Sequence, residues 1–337
     1  MFRALALVAL STLAIGCAHK VPVQYLQAAQ VDVDPTIQRV LVVDRSQARG
    51  LQHVYDAAEG AATGESYGLD ADSAAIALET LEEIVRDGRR FQVVGVERDG
   101  RRVDTGIGAR PLAPHRVMAL CPPDRCDAIL SLDAFDSDHA TAVTRSRDED
   151  DVHFEALQDT DVLAVFRLYD GRTGAIVDER HLDVATRHTS GREDSAREAT
   201  AELPYEAAVF DGAAALGTSY ATRISPHLVV DHRTLYAQGH ATMRTAHKAA
   251  RRGNLQAAVR HWESLTADAD TVLAAKALYN LAVVAEASGD LGRATKLAQQ
   301  ASVLGGRARM HTYVDVLARR ARNDRRVMGQ LGQVATR

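Results

Sequence analysis

Ala275–Leu304 reads AKALYNLAVVAEASGDLGRATKLAQQASVL, and its spacing decides how the second half of the chain folds. Leu278, Leu281, Ala282 and Ala285 recur at intervals of three and four, the period at which side chains share one helix face. Gly289-Asp290 interrupts the run with a turn signal. Leu291, Ala294, Ala298 and Ala301 then make a second stripe of the same period. Small residues on facing stripes let two antiparallel helices approach closely, where a large side chain would hold them apart. The stretch is therefore predicted as a close-packed helical hairpin. Upstream, Gly253-Asn254-Leu255 with Ala258 and Trp262 repeats the turn and the second stripe, which places a first helix at about 240–252. A third pair, about 307–320 and 323–334, would cap the stack. Isolated hairpins cannot bury their own apolar face, so two pairs and a cap need support from the preceding part of the chain.

These stretches resemble tetratricopeptide repeats, residue for residue in Ala275–Leu304. The resemblance implies a concave groove lined by the first helix of each pair. Lys276, Tyr279, Asn280 and Val283, with Arg244 and Lys248 upstream, would face it. A Lys/Asn-bearing groove could hold a peptide carboxylate through charge-assisted hydrogen bonds. The other reading has some of these residues packed on the preceding domain.

That preceding domain reads as strands and helices. Val40–Val43, flanked by Arg39 and Asp44, suits a buried strand. Residues 45–70, with several Gly and Ser, read as a loop. Asp72–Asp87 is an amphipathic helix by Ala74, Leu78, Leu81 and Val85, with Gly88 as its stop. Phe91–Val96 and Asp127–Phe135 are further strands, an order that favours an α/β layer with some parallel pairing. Ala140–Val143 and His153–Leu157, then Val162–Tyr169 and Ala175–Asp183 around Asp170-Gly171-Arg172-Thr173-Gly174, read as antiparallel strands. Residues 194–223 are helical by pattern, split or kinked at Pro204. The predicted fold is an α+β or α/β domain with a mixed sheet over 17–235, followed by an all-α, tetratricopeptide-like domain over 236–337.

The front end reads MFRALALVALSTLAIGC. Arg3 precedes an uncharged run that is short for a membrane span and suits the apolar core of an export signal. Gly16-Cys17 resembles the lipobox of bacterial lipoproteins, although Ala14 stands where that motif usually has Leu. The resemblance implies a signal over 1–16, cleavage before Cys17, and acyl chains on that residue as a stable anchor. Ala18, rather than Asp, implies the outer membrane, facing the periplasm. Ala18–Val23 reads as a short tether. The alternative is an ordinary secretory signal with an incidental cysteine. Cys121 and Cys126, in CPPDRC, either close a disulfide, which an exported compartment permits, or remain two thiols with one buried. No second Cys or His pair at ligand spacing accompanies them, so zinc is not predicted.

Taken in order, PVQYLQAAQVDVDPTIQRVLVVD, CDAILSLDAFDSD, FRLYDGRTGAIVDE, ISPHLVVDHRTLYAQG and ALYNLAVVAEASGDLGRA are similar to an uncharacterised family of Gram-negative lipoproteins with C-terminal tetratricopeptide repeats. The resemblance covers nearly the whole mature chain. It implies an architecture and a membrane address but no reaction.

Chemistry-bearing motifs are sparse. The hydrophobic fraction of 46% is that of a globular protein, and a net charge of -5 argues against a nucleic-acid partner, which needs a concentrated basic surface. Asp136-Ser137-Asp138-His139 and Asp148-Glu149-Asp150-Asp151 lack the glycine and terminal glutamate of a calcium loop and read as solvated hairpin tips. The 13 histidines form no HExxH and no close pair on a helix face. Gly60–Gly64 and Gly106–Gly108 do not continue into a phosphate-binding fingerprint, and Ser190 and Ser219 lack a nucleophile-elbow context. Arg319–Arg326 reads as a basic helix end, either solvated or set against lipid headgroups. No catalytic residue, cofactor or metal ligand is predicted. The expectation is a non-enzymatic scaffold held to the membrane through Cys17, with a protein or peptide partner at the repeats. The alternatives are an envelope hydrolase or carbohydrate-processing enzyme with carboxylates in the α/β domain, or a structural subunit of a larger assembly.

Overall fold

The computed structural model describes residues 19–46, 68–98, 110–148 and 151–332. These fall into two compact units. One holds the described residues up to Tyr25 together with Val229–Asn323; the other holds Leu26–Leu228 and the described residues from Asp324 onward. The signal over 1–16 and Cys17 lie outside the described residues, as do Gly60–Gly64 and Gly106–Gly108.

The sheet unit contains a mixed five-stranded sheet in the order β3-β2-β4-β5-β6. Its strands are β2 (Arg39–Asp44), β3 (Gln92–Arg98), β4 (Ala128–Asp148), β5 (Asp151–Asp170) and β6 (Ile176–Thr189). β2 runs parallel to both β3 and β4, while β4, β5 and β6 are antiparallel. Val40–Val43 are buried on both faces because β2 is central, which is why that run is continuously apolar instead of alternating. Helices α1 (Leu69–Asp87) and α4 (Tyr205–Ile224) cover one face. Leu78, Leu81 and Val85 of α1 and Val209, Leu216 and Tyr220 of α4 meet Val42, Leu130, Phe166 and Leu168 there. Gly217 permits the helix crossing, since a Cβ at that position would overlap the carbonyl oxygen of Ala77. A short helix that the sequence reading left out, α2 (Pro114–Leu120), lies over the other face with Leu41, Val43, Ile129 and Tyr169. The predicted helix over 194–223 is two helices, α3 (Ala196–Ala201) and α4, with Pro204 as the N-cap of the second.

Two expectations for this unit need correction. Asp136–His139 is no hairpin tip but the middle of β4, which runs from Ala128 to Asp148; of the second acidic run, Asp148 ends β4 and pairs with Asp151 at the start of β5, while 149 and 150 lie outside the described residues. The acidic stretch keeps the strand period, with Phe135 and Ser137 buried and Asp138 exposed, so nothing in it ends the strand. The tether is also different. Lys20–Gln27 forms β1, which pairs with β7 (His227–Thr234) in a two-stranded sheet. Val21 and Val23 point inward while Lys20, Pro22 and Gln24 face out, an alternation too short to stand out in sequence.

The other unit is all-helical apart from its share of β1 and β7. It contains α5 (Ala241–Arg251), α6 (Leu255–Glu263), α7 (Thr271–Ala287), α8 (Leu291–Gly305) and the start of α9 (Ala308–Gln330). The α5–α6 and α7–α8 turns are near copies. Gly253 and Gly289 take φ of 78° and 82°, a left-handed conformation that suits glycine. Asn254 and Asp290 then cap the following helix, accepting from Ala257 N–H and Arg293 N–H at 3.0 and 2.9 Å. Ala282, Ala294, Ala298 and Ala301 are buried with Leu281, and Trp262 is buried with Met243, Ala246 and Ala250. The expected third pair is instead the single helix α9. Nothing between 320 and 323 breaks a helix, and Asn323 alone does not stop one.

Candidate functional site

The polar residues predicted on α7 occupy one helix face. Tyr279, Asn280, Val283 and Glu286 follow helical spacing and are all buried. What covers them is the chain itself. The end of β7 and the residues after it, Arg233–Tyr236, lie along this face. Asn280 accepts from the Tyr236 N–H at 2.9 Å through Oδ1 and donates to the Tyr236 carbonyl at 2.8 Å through Nδ2. One amide side chain thus satisfies both backbone groups of one residue. The Tyr236 ring meets Tyr279 edge-on at 5.0 Å, and the Arg309 guanidinium lies 4.7 Å from the first ring and 5.0 Å from the second.

Nearly two helical turns on, Glu286 receives two bonds from Arg233, Nε to Oε2 and Nη2 to Oε1, each 3.0 Å. The Tyr313 hydroxyl donates to Oε2 at 2.9 Å, and Arg320 Nε stands 4.0 Å from Oε1. Arg320 also covers the Tyr25 ring at 3.6 Å. Burial, with Glu286 beside it, holds the Tyr313 phenol far above its ordinary pKa. Burial opposes the charge of Arg233, but its bonds to Glu286 outweigh this and raise its pKa. Neither Arg233 nor Glu286 was singled out from sequence. A Glu falling on the buried face of an otherwise apolar helix is the signal that could have found the pair.

The sheet unit carries a second polar cluster. Asp133 on β4 is fully buried, forms an ion pair with Arg45 at 2.5 Å, and accepts from Arg167 at 2.5 Å, from the Tyr169 hydroxyl at 3.0 Å and from Ser131. Arg167 reaches on to Glu179 at 2.7 Å, and His181 lies 3.1 Å from the other Glu179 oxygen. Tyr169 in turn accepts from Leu112 N–H at 3.1 Å. The hydrogen bond from Arg167 keeps the Glu179 carboxyl below its usual range. With both oxygens of Asp133 engaged, this cluster ties the end of β2 to β4, β5 and β6. Next to it is a depression of about 210 Å³, lined largely by Ala134, Phe135, Leu163, Val165 and Leu182 with His181 and Asp183. A carboxyl with a raised pKa occurs elsewhere, at Glu193, through a hydrogen bond with Glu202 on an exposed loop.

The remaining predicted positions fall as follows. Cys121 and Cys126 are buried and joined by a disulfide, with Cα atoms 5.2 Å apart. Arg244 and Lys248 are exposed on α5, away from the buried α7 face. Arg319–Arg326 belongs to α9, where Arg320 is buried, Arg326 bonds Asp32 and the Gln30 carbonyl, and Arg319, Arg322 and Arg325 are exposed. Among the described residues no group of three or more His, Cys, Asp or Glu could hold a metal ion, and no helix is long and apolar enough to cross a membrane.

A family model described as Domain of unknown function (DUF8603) matches residues 37–236, and one described as Domain of unknown function (DUF6340) matches residues 244–319. No curated protein matches. Among solved structures, a PelC dodecamer from Paraburkholderia phytofirmans is similar at 16% identity over 61% of this chain and 100% of that one, with a TM-score of 0.25. A second PelC dodecamer structure gives 16% identity, 59% and 94% coverage and a TM-score of 0.21. A neuraminyllactose-binding hemagglutinin homolog from Helicobacter pylori gives 8%, 58% and 89%, with a TM-score of 0.26. TM-scores this low assign no fold. The first family match spans more than half of the sequence, and on that ground the chain belongs to the uncharacterised family described as Domain of unknown function (DUF8603).

Proposed function

We propose that the protein is a lipid-anchored, non-enzymatic scaffold of the bacterial outer membrane whose tetratricopeptide-like helical unit docks a protein or peptide. The observation that carries this reading is the α7 face, which holds a neighbouring stretch of polypeptide by its backbone. Asn280 bonds both the N–H and the C=O of Tyr236, a contact indifferent to side-chain identity, as in helical grooves that take extended peptides. The repeat reading draws support from the matching Gly-Asn and Gly-Asp turns and from the buried alanine stripes. The anchor reading draws support from Arg3, the uncharged run and Gly16-Cys17. Because Arg233–Tyr236 already lie on the α7 face, a partner meets the unit on its outward helix surfaces or displaces this segment.

In-cell cross-linking of the full chain, and of a chain lacking 236–337, tests the scaffold. A partner captured by the first and lost with the second supports it; no reproducible partner overturns it. Fractionation of Cys17→Ser tests the anchor. Release of the mature protein from membranes supports it, and unchanged sedimentation overturns it.

A further inference from the structure

α5 gives the helical unit an exposed basic surface. Between Ala241 and Arg252 there is no acidic residue. Met243, Ala246, His247 and Ala250 form its buried face, and Arg244, Lys248 and Arg251 stand exposed at i, i+4 and i+7, with Arg252 beyond. Several arginines elsewhere are held in ion pairs: Arg233 with Glu286, Arg167 with Asp133 and Glu179, Arg223 with Asp178. Among the described residues, Arg244, Lys248, Arg251 and Arg252 make no ion pair. The chain as a whole carries a net charge of -5, so this concentration of positive charge is local.

Its position is as telling as its charge. The His19 carbonyl accepts from Leu235 N–H at 3.1 Å, and the His19 ring stands 5.9 Å from that of His247 on α5. Exposed Lys20 follows at the start of β1. The chain therefore begins its described course beside α5. Cys17 is two residues before His19, a reach of at most roughly 7 Å.

We infer that the exposed face of α5, with Lys20, is a contact surface for anionic lipid headgroups. This rests on the proposed lipid anchor for where the bilayer lies. Acyl chains at Cys17 would hold the α5 face near the headgroup layer, where a helix with a basic outer stripe gains from negative surface potential. Each basic group near such a surface contributes about fivefold in partitioning at moderate salt, so removing three of them lowers binding by about a hundredfold.

The test uses the mature chain from residue 17 with Cys17→Ser, which carries no acyl group, sedimented with vesicles of phosphatidylcholine alone or of phosphatidylcholine with phosphatidylglycerol. The expected result is binding to the anionic vesicles only, weakening as salt is raised, and lost by about two orders of magnitude in Arg244→Gln/Lys248→Gln/Arg251→Gln. These side chains are exposed, and an unchanged far-ultraviolet spectrum establishes that the variant folds. No binding to anionic vesicles, equal binding to both kinds, or undiminished binding by the triple variant overturns the inference. So does a variant that keeps vesicle binding but loses a cross-linked protein, because the surface then serves an acidic partner. Since the assay omits the acyl chains, its outcome is independent of the Cys17 fractionation that tests the anchor itself.

Discussion

Glu286 is the residue whose removal the helical unit should tolerate least. Its side chain is 0% exposed, and its partners Arg233 and Arg320 are 13% and 9% exposed, so water cannot replace it on either cation. Glu286→Ala deletes two bonds from Arg233 and one from Tyr313 and leaves two guanidinium groups buried beside a cavity. Breaking a buried pair in this way costs about 3–5 kcal/mol. At roughly 2–4 °C per kcal/mol the melting temperature falls by about 6–20 °C, read by circular dichroism at the helical band. Arg233→Met/Glu286→Leu removes the closest pair as a unit, and should recover part of the loss; the rest remains because Arg320 still loses its carboxylate at 4.0 Å and Asp231 loses Arg233. Asp159→Ala is the control. Its pair with Arg187 is largely solvent-exposed and should contribute less than about 1 kcal/mol. A loss for Glu286→Ala no greater than that control, or a double substitution worse than the single one, would refute the claim that Glu286 is a desolvated tie between β7, α7 and α9.

Four further outcomes follow from the geometry. Gly217→Ala should destabilise the sheet unit by about 1–3 kcal/mol in urea denaturation, because the new methyl meets the Ala77 backbone and one helix must move; Gly253→Ala, with open space but φ of 78°, should cost about 1–2 kcal/mol from backbone strain alone. Asn280→Ala should cost about 1–3 kcal/mol by leaving the Tyr236 N–H and C=O unsatisfied, and should make the peptide bonds around 236 newly sensitive to limited proteolysis. Stability should fall as pH is lowered from about 7.5 to about 5.5: burial lowers the pKa of His19, His139, His227 and His247 below the unfolded 6.5, so the unfolded chain takes up protons first, and His247→Gln should reduce the pH slope of the melting temperature.

What could be read from sequence was whatever depends on local spacing. The apolar run Val40–Val43, the Asp170–Gly174 turn, the break at Pro204 and the Gly-Asx turns each declare themselves within a few residues. β1 and β7 do not, because their pairing joins segments about two hundred residues apart and neither alternation is long. The Asp133 cluster was hidden for a different reason. Ser131 and Asp133 alternate with Leu130 and Leu132, and polar residues at successive second places look like a solvent face. Here that face is closed by Arg45, Arg167 and Tyr169, so the polar positions are interior and neutralise one another. The third helical pair was misread because a weak stripe invites a turn where no residue demands one, and α9 simply continues.

The α7 face shows why residue type alone misplaces a binding surface. Tyr279, Asn280 and Val283 have the chemistry of a peptide groove, and the structure does set backbone against them, but the backbone is residues 233–236 of the same chain. Asn280 is committed at both ends of its amide, and Glu286 is saturated by Arg233 and Tyr313. A second peptide could reach these groups only after Arg233 lost a desolvated ion pair and Tyr236 lost two backbone bonds, a cost that a short ligand's own contacts would have to exceed. The uncommitted chemistry of the unit therefore lies on its outside. Arg244, Lys248 and Arg251 on α5 carry charge without an ion partner among the described residues, and Val303 on α8 is 84% exposed. Under the proposed scaffold role, selectivity is accordingly to be sought on the exposed helix faces, where substitutions can change binding while leaving the Asn280 and Glu286 ties intact.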